Sequence, residues 1–377
     1  LREKMVTELS VYLGPRPNIF AKKELIPPPI ALELPGPVLS LGQLEHITKH
    51  GNKDESDSGI KSETIDIIFS RQYGIVDFNS QLNNISKKVL ELVKNGTSII
   101  ILSDRNADFE NLPIPVLIIL RHVVIELDKA GVRLKVSIVI DSGQIFTTHH
   151  MAATIGFGAS AVCPYLALNF ARYENLGTLN EVSPEFKEKN LIKALESGLL
   201  KVMSKMGISV VRSYQSSKLY TILGLDKEFS HVYFRGVPSL IGGLGLKEIV
   251  DDILFQADLA EKSAGQNKLI NNYLFREFNK GTIGEKHSMN ASRTKIIHKL
   301  VSKADSSEKE LEIYQEYLKS FELDYPVNIR HLLDFRNAEN PMDISQVQTT
   351  SEILKEFGSG AMSFGAISAE AQRDIIL

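Results

Sequence analysis

Ser98-Ile99-Ile100-Ile101-Leu102-Ser103 sets four branched apolar residues in a row, with no polar alternation. A strand with one wet face alternates. A continuous apolar run of strand length is covered on both faces, the condition of a parallel strand between helices. Val136-Ser137-Ile138-Val139-Ile140-Asp141 repeats the pattern, and Thr64-Ile65-Asp66-Ile67-Ile68-Phe69 supplies a third strand. Between them, residues 78–95 place Leu82, Ile85, Val89, Leu92 and Val93 at helical spacing, with Gly96 as the stop. Residues 115–130 read as the next helix, ended by Gly131. Strand–helix alternation of this kind predicts an α/β fold class: a mostly parallel sheet flanked by helices, either doubly wound or a partial barrel.

Outward from this centre, 147–155 reads as a helix and 161–165 as a short strand or turn. A helix follows over 190–206, stopped by Gly207, then a strand over 209–212 and a short helix over 218–222. Upstream, Met5, Leu9 and Leu13 have helical spacing until Gly14-Pro15-Arg16-Pro17 breaks it. Residues 26–37 carry Pro27-Pro28-Pro29 and Pro35-Gly36-Pro37, which predicts extended, polyproline-like chain. Residues 51–63 are a polar, charged loop. Residues 265–348 are polar and strandless, with one charged helix near 307–321, and read as a connecting segment. Finally, Gly358, Gly360, Gly365, Ser359, Ala361, Ser363 and Ala366 leave almost no side-chain bulk. They predict a strand on which a flat or anionic ligand can approach the backbone. Ser368 caps a following helix with Glu370 in its first turn. The expected domains are 1–264, 265–348 and 349–377, the last being the start of a larger unit, with Leu1 not a natural beginning.

The chain has 377 residues, 43% hydrophobic and 24% charged, with formal net charge −3. That supports a sizeable core and gives no electrostatic case for nucleic acid or an anionic membrane. No apolar run approaches membrane-spanning length. The single cysteine, Cys163, excludes an internal disulfide and a multi-cysteine metal or iron–sulfur site within these residues. It fits a reducing compartment: cytoplasm, or plastid in a plant-type organism.

Ser103, Asp104 and Arg105 stand at the C-terminal end of the deciding strand, the edge where open α/β sheets bind ligands. They either hold a polar ligand or form a structural Asp–Arg pair that orders the turn before Pro113-Ile114-Pro115. His149 and His150, with His122, lack ligand spacing, since adjacent residues point about 100° apart on a helix. No metal site is expected. Gly242-Gly243-Leu244-Gly245 lacks the dinucleotide spacing and reads as a turn opening a helix from Leu246. Cys163 is expected to be a buried structural thiol. Lys205 is expected to be a solvated residue at a helix end. No catalytic residue is assigned.

Certain segments, taken together, resemble the large chain of glutamate synthase. They include Gly14-Pro15-Arg16-Pro17-Asn18, Leu102-Ser103-Asp104-Arg105, Gly156-Phe157-Gly158-Ala159-Ser160, Met203-Ser204-Lys205-Met206-Gly207, Ile241-Gly242-Gly243-Leu244-Gly245 and Gly360-Ala361-Met362-Ser363-Phe364-Gly365. The resemblance implies a central α/β domain, a connecting segment and the truncated start of an FMN-binding (β/α)8 barrel. It implies that Gly360, Ala361, Met362 and Ser363 lie against FMN in the parent enzyme. It further implies that the nucleophilic cysteine of an amidotransferase domain and the cysteines of an iron–sulfur cluster lie outside these residues. This piece is then expected to hold no cofactor of its own and to act as a scaffold walling an ammonia path. Its partners would be the amidotransferase and synthase domains of the same polypeptide, and the electron donor ferredoxin or an NADPH-dependent small subunit. The alternative is a free-standing small-molecule binding module. Cys163, where Asn is common, and Asp141, where Glu is common, mark a divergent member.

Overall fold

The computed structural model describes residues 3–17, 20, 30–51, 59–173, 182–264, 288–302, 307–322, 326–358, 360, 362–363 and 365–376. They divide into two units, 1–265 and 266–377.

In the first unit, strand β1 (Val11–Leu13) pairs antiparallel with β2 (Leu32–Leu34). Helix α1 (Leu41–Gly51) leads to β3 (Ser62–Asp66) and β4 (Ile68–Ser70). Helix α2 (Gly74–Lys94), β5 (Ile99–Ser103), β6 (Asn111–Pro113), α3 (Val116–Lys129), β7 (Ser137–Asp141), α4 (Thr148–Gly156) and β8 (Ala161–Cys163) follow. The parallel sheet runs β3-β5-β7-β8, every neighbour in chain order. Chain order without reversal is the order of a barrel segment, so of the two expected arrangements the doubly wound one is excluded. Right-handed crossovers then place α2, α3 and α4 side by side on one face, and α2 does pack on α3 and α3 on α4. Every residue of β5 and β7 is buried, as the unbroken apolar runs demand. Helix α2 buries Phe78, Leu82, Ile85, Val89 and Val93, each worth roughly 1.5–3 kcal/mol when withdrawn fully from water.

Helix α1 bridges the two edges of this sheet. At its start, Leu39 N donates to Val162 O at 2.8 Å beside β8. At its end, Ser62 Oγ of β3 donates to Ile47 O at 2.8 Å. Eleven residues at about 1.5 Å each span roughly 16 Å, which matches the width of four strands about 4.8 Å apart. Gly51 permits the contact, because a Cβ there would overlap Ser62 Oγ.

Beyond the sheet come α5 (Tyr165–Tyr173), α6 (Pro184–Met206), α7 (Val211–Tyr214), β9 (Ile222–Leu225), α8 (Lys227–Tyr233), β10 (Ser239–Leu244) and α9 (Leu246–Ser263). Helix α6 starts where Ser183 Oγ accepts from Phe186 N and stops at Gly207 in the left-handed region, φ 73°.

Among the expectations for the first unit, the following are corrected. Residues 11–13 form a strand, not helix, with Val11 and Leu13 buried and Tyr12 exposed. The strand expected over 209–212 is a single bridge of Val210 to Glu8 followed by helix α7. The helix expected over 218–222 does not form, since Ser216 and Lys218 sit at φ 61° and 55°. Of the turn expected over 242–245, residues 242–244 belong instead to strand β10, Ser239–Leu244. Of the expected polyproline segment, 26–29 lie outside the described residues, and so do 52–58 of the expected loop.

In the second unit, α10 (Ala291–Ser302), which its sequence does not announce, packs on α11 (Ser307–Glu322). Arg293 holds the pair: its guanidinium lies 3.9 Å from the Phe321 ring centre and donates to Ser320 O at 2.8 Å. Helix α12 (Thr350–Glu356) opens on a reciprocal Thr349–Glu352 cap, and α13 (Ala369–Ile376) on Ser368. The strand expected over 360–365 is absent among the described residues. A lone parallel strand has no neighbour to take its backbone hydrogen bonds.

Candidate functional site

The parallel register of β5 and β7 sets Ser103 beside Asp141. Ser103, Asp104 and Arg105 are therefore brought to one edge with Asp141, Ser142, Cys163 and Tyr165. The Asp–Arg pair forms, but not between Asp104 and Arg105. Arg105 reaches across to Asp141, with Nε to Oδ2 at 2.6 Å and Nη2 to Oδ1 at 2.9 Å. Ser103 Oγ donates to the same Oδ2 at 2.8 Å. Asp104 turns the other way and takes up the loop after β7. It accepts from Ser142 Oγ at 2.5 Å, Gly143 N at 2.9 Å and Gln144 Nε2 at 3.1 Å. Gln144 also donates to Ile114 O at 3.0 Å and accepts from Val116 N at 3.2 Å. The turn at Pro113-Ile114-Pro115 is thus ordered by Asp104 through Gln144 and not by an Asp–Arg pair, and no sequence motif marks Gln144.

The electrostatics are those of a closed network. Asp141 is 3% exposed and Arg105 38%. Burial is the largest single influence on Arg105 and works against its charge. The hydrogen bonds to Asp141 and the charge of Asp141, taken together with the smaller influences of Cys163 and Tyr165, raise its pKa on balance. Its guanidinium also sits 4.4 Å from the Tyr165 ring centre, within cation–π range. Burial, followed by the charge of Asp104, raises the Tyr165 hydroxyl. Burial, followed by the charge of Asp141, raises the Cys163 thiol, which is fully buried. A thiol held neutral is neither a nucleophile nor a metal ligand, as expected of a structural cysteine. Both carboxylates spend their oxygens on protein donors, so the arrangement pins loops and leaves little to grip a ligand.

The other singled-out residues separate. His150 packs edge-on against Phe146, ring centres 4.5 Å apart, and burial followed by His149 lowers its pKa. Burial likewise lowers His122. No group of three potential metal ligands occurs among the described residues. Lys205 is exposed in the last turn of α6. Gly243 lies where β10 pairs in parallel with β9, and a Cβ there would strike the Gly224 backbone. Gly245 N donates to Glu248 at 3.0 Å, so a carboxylate of the chain takes the place a phosphate would need. Gly360, Met362 and Ser363 sit in irregular chain, Met362 is exposed, and added Cβ atoms at Gly358, Gly360 and Gly365 would meet open space. Ala361 lies outside the described residues. The described residues build no cradle for a flavin.

The family model described as "Glutamate synthase central domain" matches residues 1–226, and "Conserved region in glutamate synthase" matches 287–376. The chain belongs to the glutamate synthase family. Across its whole length it is 35% identical to the chloroplastic ferredoxin-dependent glutamate synthase of Spinacia oleracea, over 399 residues, and covers 23% of that protein. It is 35% identical to the ferredoxin-dependent glutamate synthase of Cyanidium caldarium, covering 24%. With ferredoxin-dependent glutamate synthase 2 of Synechocystis it shares 31% over 406 residues. The chain thus spans about a quarter of the length of these glutamate synthases. The flavin-binding domain of baker's yeast flavocytochrome b2 overlaps 55% of the chain with TM-score 0.29 and 15% identity, a likeness too low to carry a conclusion. Among the described residues, no helix is long and apolar enough to cross a membrane.

Proposed function

We propose that the chain is the central, scaffolding part of a glutamate synthase large chain and performs no chemistry itself. The parent reaction takes glutamine, 2-oxoglutarate and reducing equivalents to two glutamates. The observation that carries this reading is the order of the family matches: the central domain over 1–226, then the synthase region over 287–376. The saturated network at Asp104 and Asp141 supports it, since both carboxylates fix loops. In the parent, this part joins an amidotransferase domain to an FMN- and iron–sulfur-bearing synthase domain and walls the path of ammonia. Residues 1–264 form the central domain, 265–348 the connection and 349–377 the opening of the barrel. There Gly360, Ala361, Met362 and Ser363 become an FMN-facing strand only beside the remaining barrel strands. The names of the relatives favour ferredoxin over an NADPH-dependent subunit as donor, and a plastid if the source is plant-like.

The test is flavin content. The isolated chain is expected to purify colourless after expression with excess riboflavin. A yellow protein with FMN at near-equal stoichiometry would overturn the reading. The alternative, a free-standing binding module at Ser103 and Asp104, predicts a saturable thermal shift with glutamine, glutamate or 2-oxoglutarate that Asp104→Ala abolishes.

A further inference from the structure

The N-terminal end of the same sheet holds a concavity of about 400 Å³ between β1, the chain after it, and α7. Tyr12, Arg16, Glu33, Arg212 and Gln215 are among its lining residues. Its geometry is anchored by backbone. Arg16 N donates to Leu134 O at 2.8 Å, and Gly14 N to Oγ of Ser137, the first residue of β7, at 3.0 Å. A Cβ on Gly14 would press on the Ile30 carbonyl, and its φ of 142° favours glycine, so the turn into Arg16 is specified.

The charges in this cavity are unbalanced. Among the described residues, Arg16 makes one long side-chain hydrogen bond, Nη2 to Gln215 Oε1 at 3.4 Å. The Arg212 guanidinium has no hydrogen bond or ion pair among the described residues. Arg16 and Arg212 are both exposed to solvent, yet the partial desolvation of Arg16, followed by repulsion from Arg212, lowers its pKa. Arg133, which does not line the cavity, stands within the field of Arg16 and among the described residues donates only to carbonyls, Val136 O at 2.9 Å and Gly158 O at 2.8 Å. Burial, followed by the charge of Arg16, brings it down to about 10. Glu33 does not neutralise them: its carboxylate accepts from the Tyr12 hydroxyl at 3.1 Å and pairs with neither arginine. Guanidinium groups converging on one cavity without a carboxylate partner repel one another, and a planar fork is the geometry that takes up phosphate or carboxylate.

We propose that this cavity binds a compact dianion, clamped by Arg16 and Arg212, with Gln215 orienting Arg16. Phosphate groups and small dicarboxylates share that chemistry, and the volume suits either. This site is separate from the Asp104–Asp141 network and does not depend on the scaffold reading.

Isothermal titration of the 377-residue chain at low salt tests it, with inorganic phosphate and 2-oxoglutarate as separate probes. A saturable one-site isotherm is expected with at least one. Phosphate alone identifies a phosphate-bearing ligand, 2-oxoglutarate alone a dicarboxylate, and both a site that selects on charge. Arg212→Gln and Arg16→Ala should each weaken binding about ten- to a hundredfold, the loss of a charge-assisted hydrogen bond. Arg212→Lys should weaken it less. Arg212→Gln should leave the urea midpoint of the ligand-free chain unchanged or raised, because it relieves repulsion. Absence of saturable heat with both probes overturns the proposal. So does an isotherm that neither substitution alters.

Discussion

Truncating Asp141 to alanine should be among the costliest single changes at the C-terminal edge of the sheet. The carboxylate is 3% exposed and accepts two bonds from Arg105 and one from Ser103. Its loss takes the acceptor from the Ser103 hydroxyl, itself buried, which among the described residues keeps only the donor Arg105 N at 3.3 Å, for about 1–3 kcal/mol. It also unpairs a guanidinium. Breaking a fully buried pair costs about 3–5 kcal/mol, but Arg105 is 38% exposed and can turn to water, so its share is well below that. About 3 kcal/mol in total is expected for Asp141→Ala. Arg105→Ala leaves Asp141 its Ser103 bond and should cost about 2 kcal/mol. The double variant should cost little more than Asp141→Ala alone, giving a coupling of about 2 kcal/mol. Urea unfolding followed by tyrosine fluorescence suits a chain with 11 Tyr and no Trp, and hydrogen exchange over 99–103 and 137–141 reads the loss locally. A cost below about 1 kcal/mol for Asp141→Ala, or additive single and double values, would refute the argument that this network is closed and structural.

Gly243→Ala should drive a methyl into the Gly224 backbone and part β9 from β10, seen as faster amide exchange over 239–244 with α2 and α3 unaffected. Burial lowers His122 in the folded state below its unfolded value near 6.5. The unfolded chain therefore takes up the proton first as pH falls. Stability from this group is present above about pH 6.5 and declines as pH drops from there toward the folded pKa; His122→Gln should flatten that part of the urea-midpoint profile. The Cys163 thiol should react with a disulfide reagent only at the rate at which the chain opens, so mild urea should accelerate labelling in step with unfolding.

The parts of the fold visible in the sequence are those where burial alone decides. Ile99 to Leu102 and Ile138 to Ile140 are fully enclosed, and an unbroken apolar run of strand length, bounded by polar residues, fits little besides a strand between two covering layers. Residues 1–13 misled because Met5, Leu9 and Leu13 fall at helical spacing, whereas Val11 and Leu13 are the pair that packs, at period two. Ser209-Val210-Val211-Arg212 reads as strand by β-branching, but Val211 and Tyr214 are buried on a short helix, so tertiary packing overrode propensity. Gly242-Gly243 looked like punctuation because close approach to Gly224 is invisible one strand at a time. Likewise, Asp104 and Arg105 were legible as charged residues at a strand end. Their partners were not, since only the β5–β7 register puts Ser103 next to Asp141. The cationic cavity is equally hidden in one dimension, with Arg16 and Arg212 almost 200 positions apart.

Helix α1 has a kinetic consequence. It appears early in the chain, yet one end of its seat is β8, some 120 residues later. At a synthesis rate of about 5–20 residues per second, the nascent helix waits on the order of ten seconds before its docking edge exists. Through that interval Leu44 and Ile47 have no finished core to enter. A contact so distant in sequence carries a loop-closure cost that must be met before it is rewarded, so closure of the sheet by α1 should be a late event in folding. Slow appearance of protection at the α1 amides, after those of β5 and β7, is its signature.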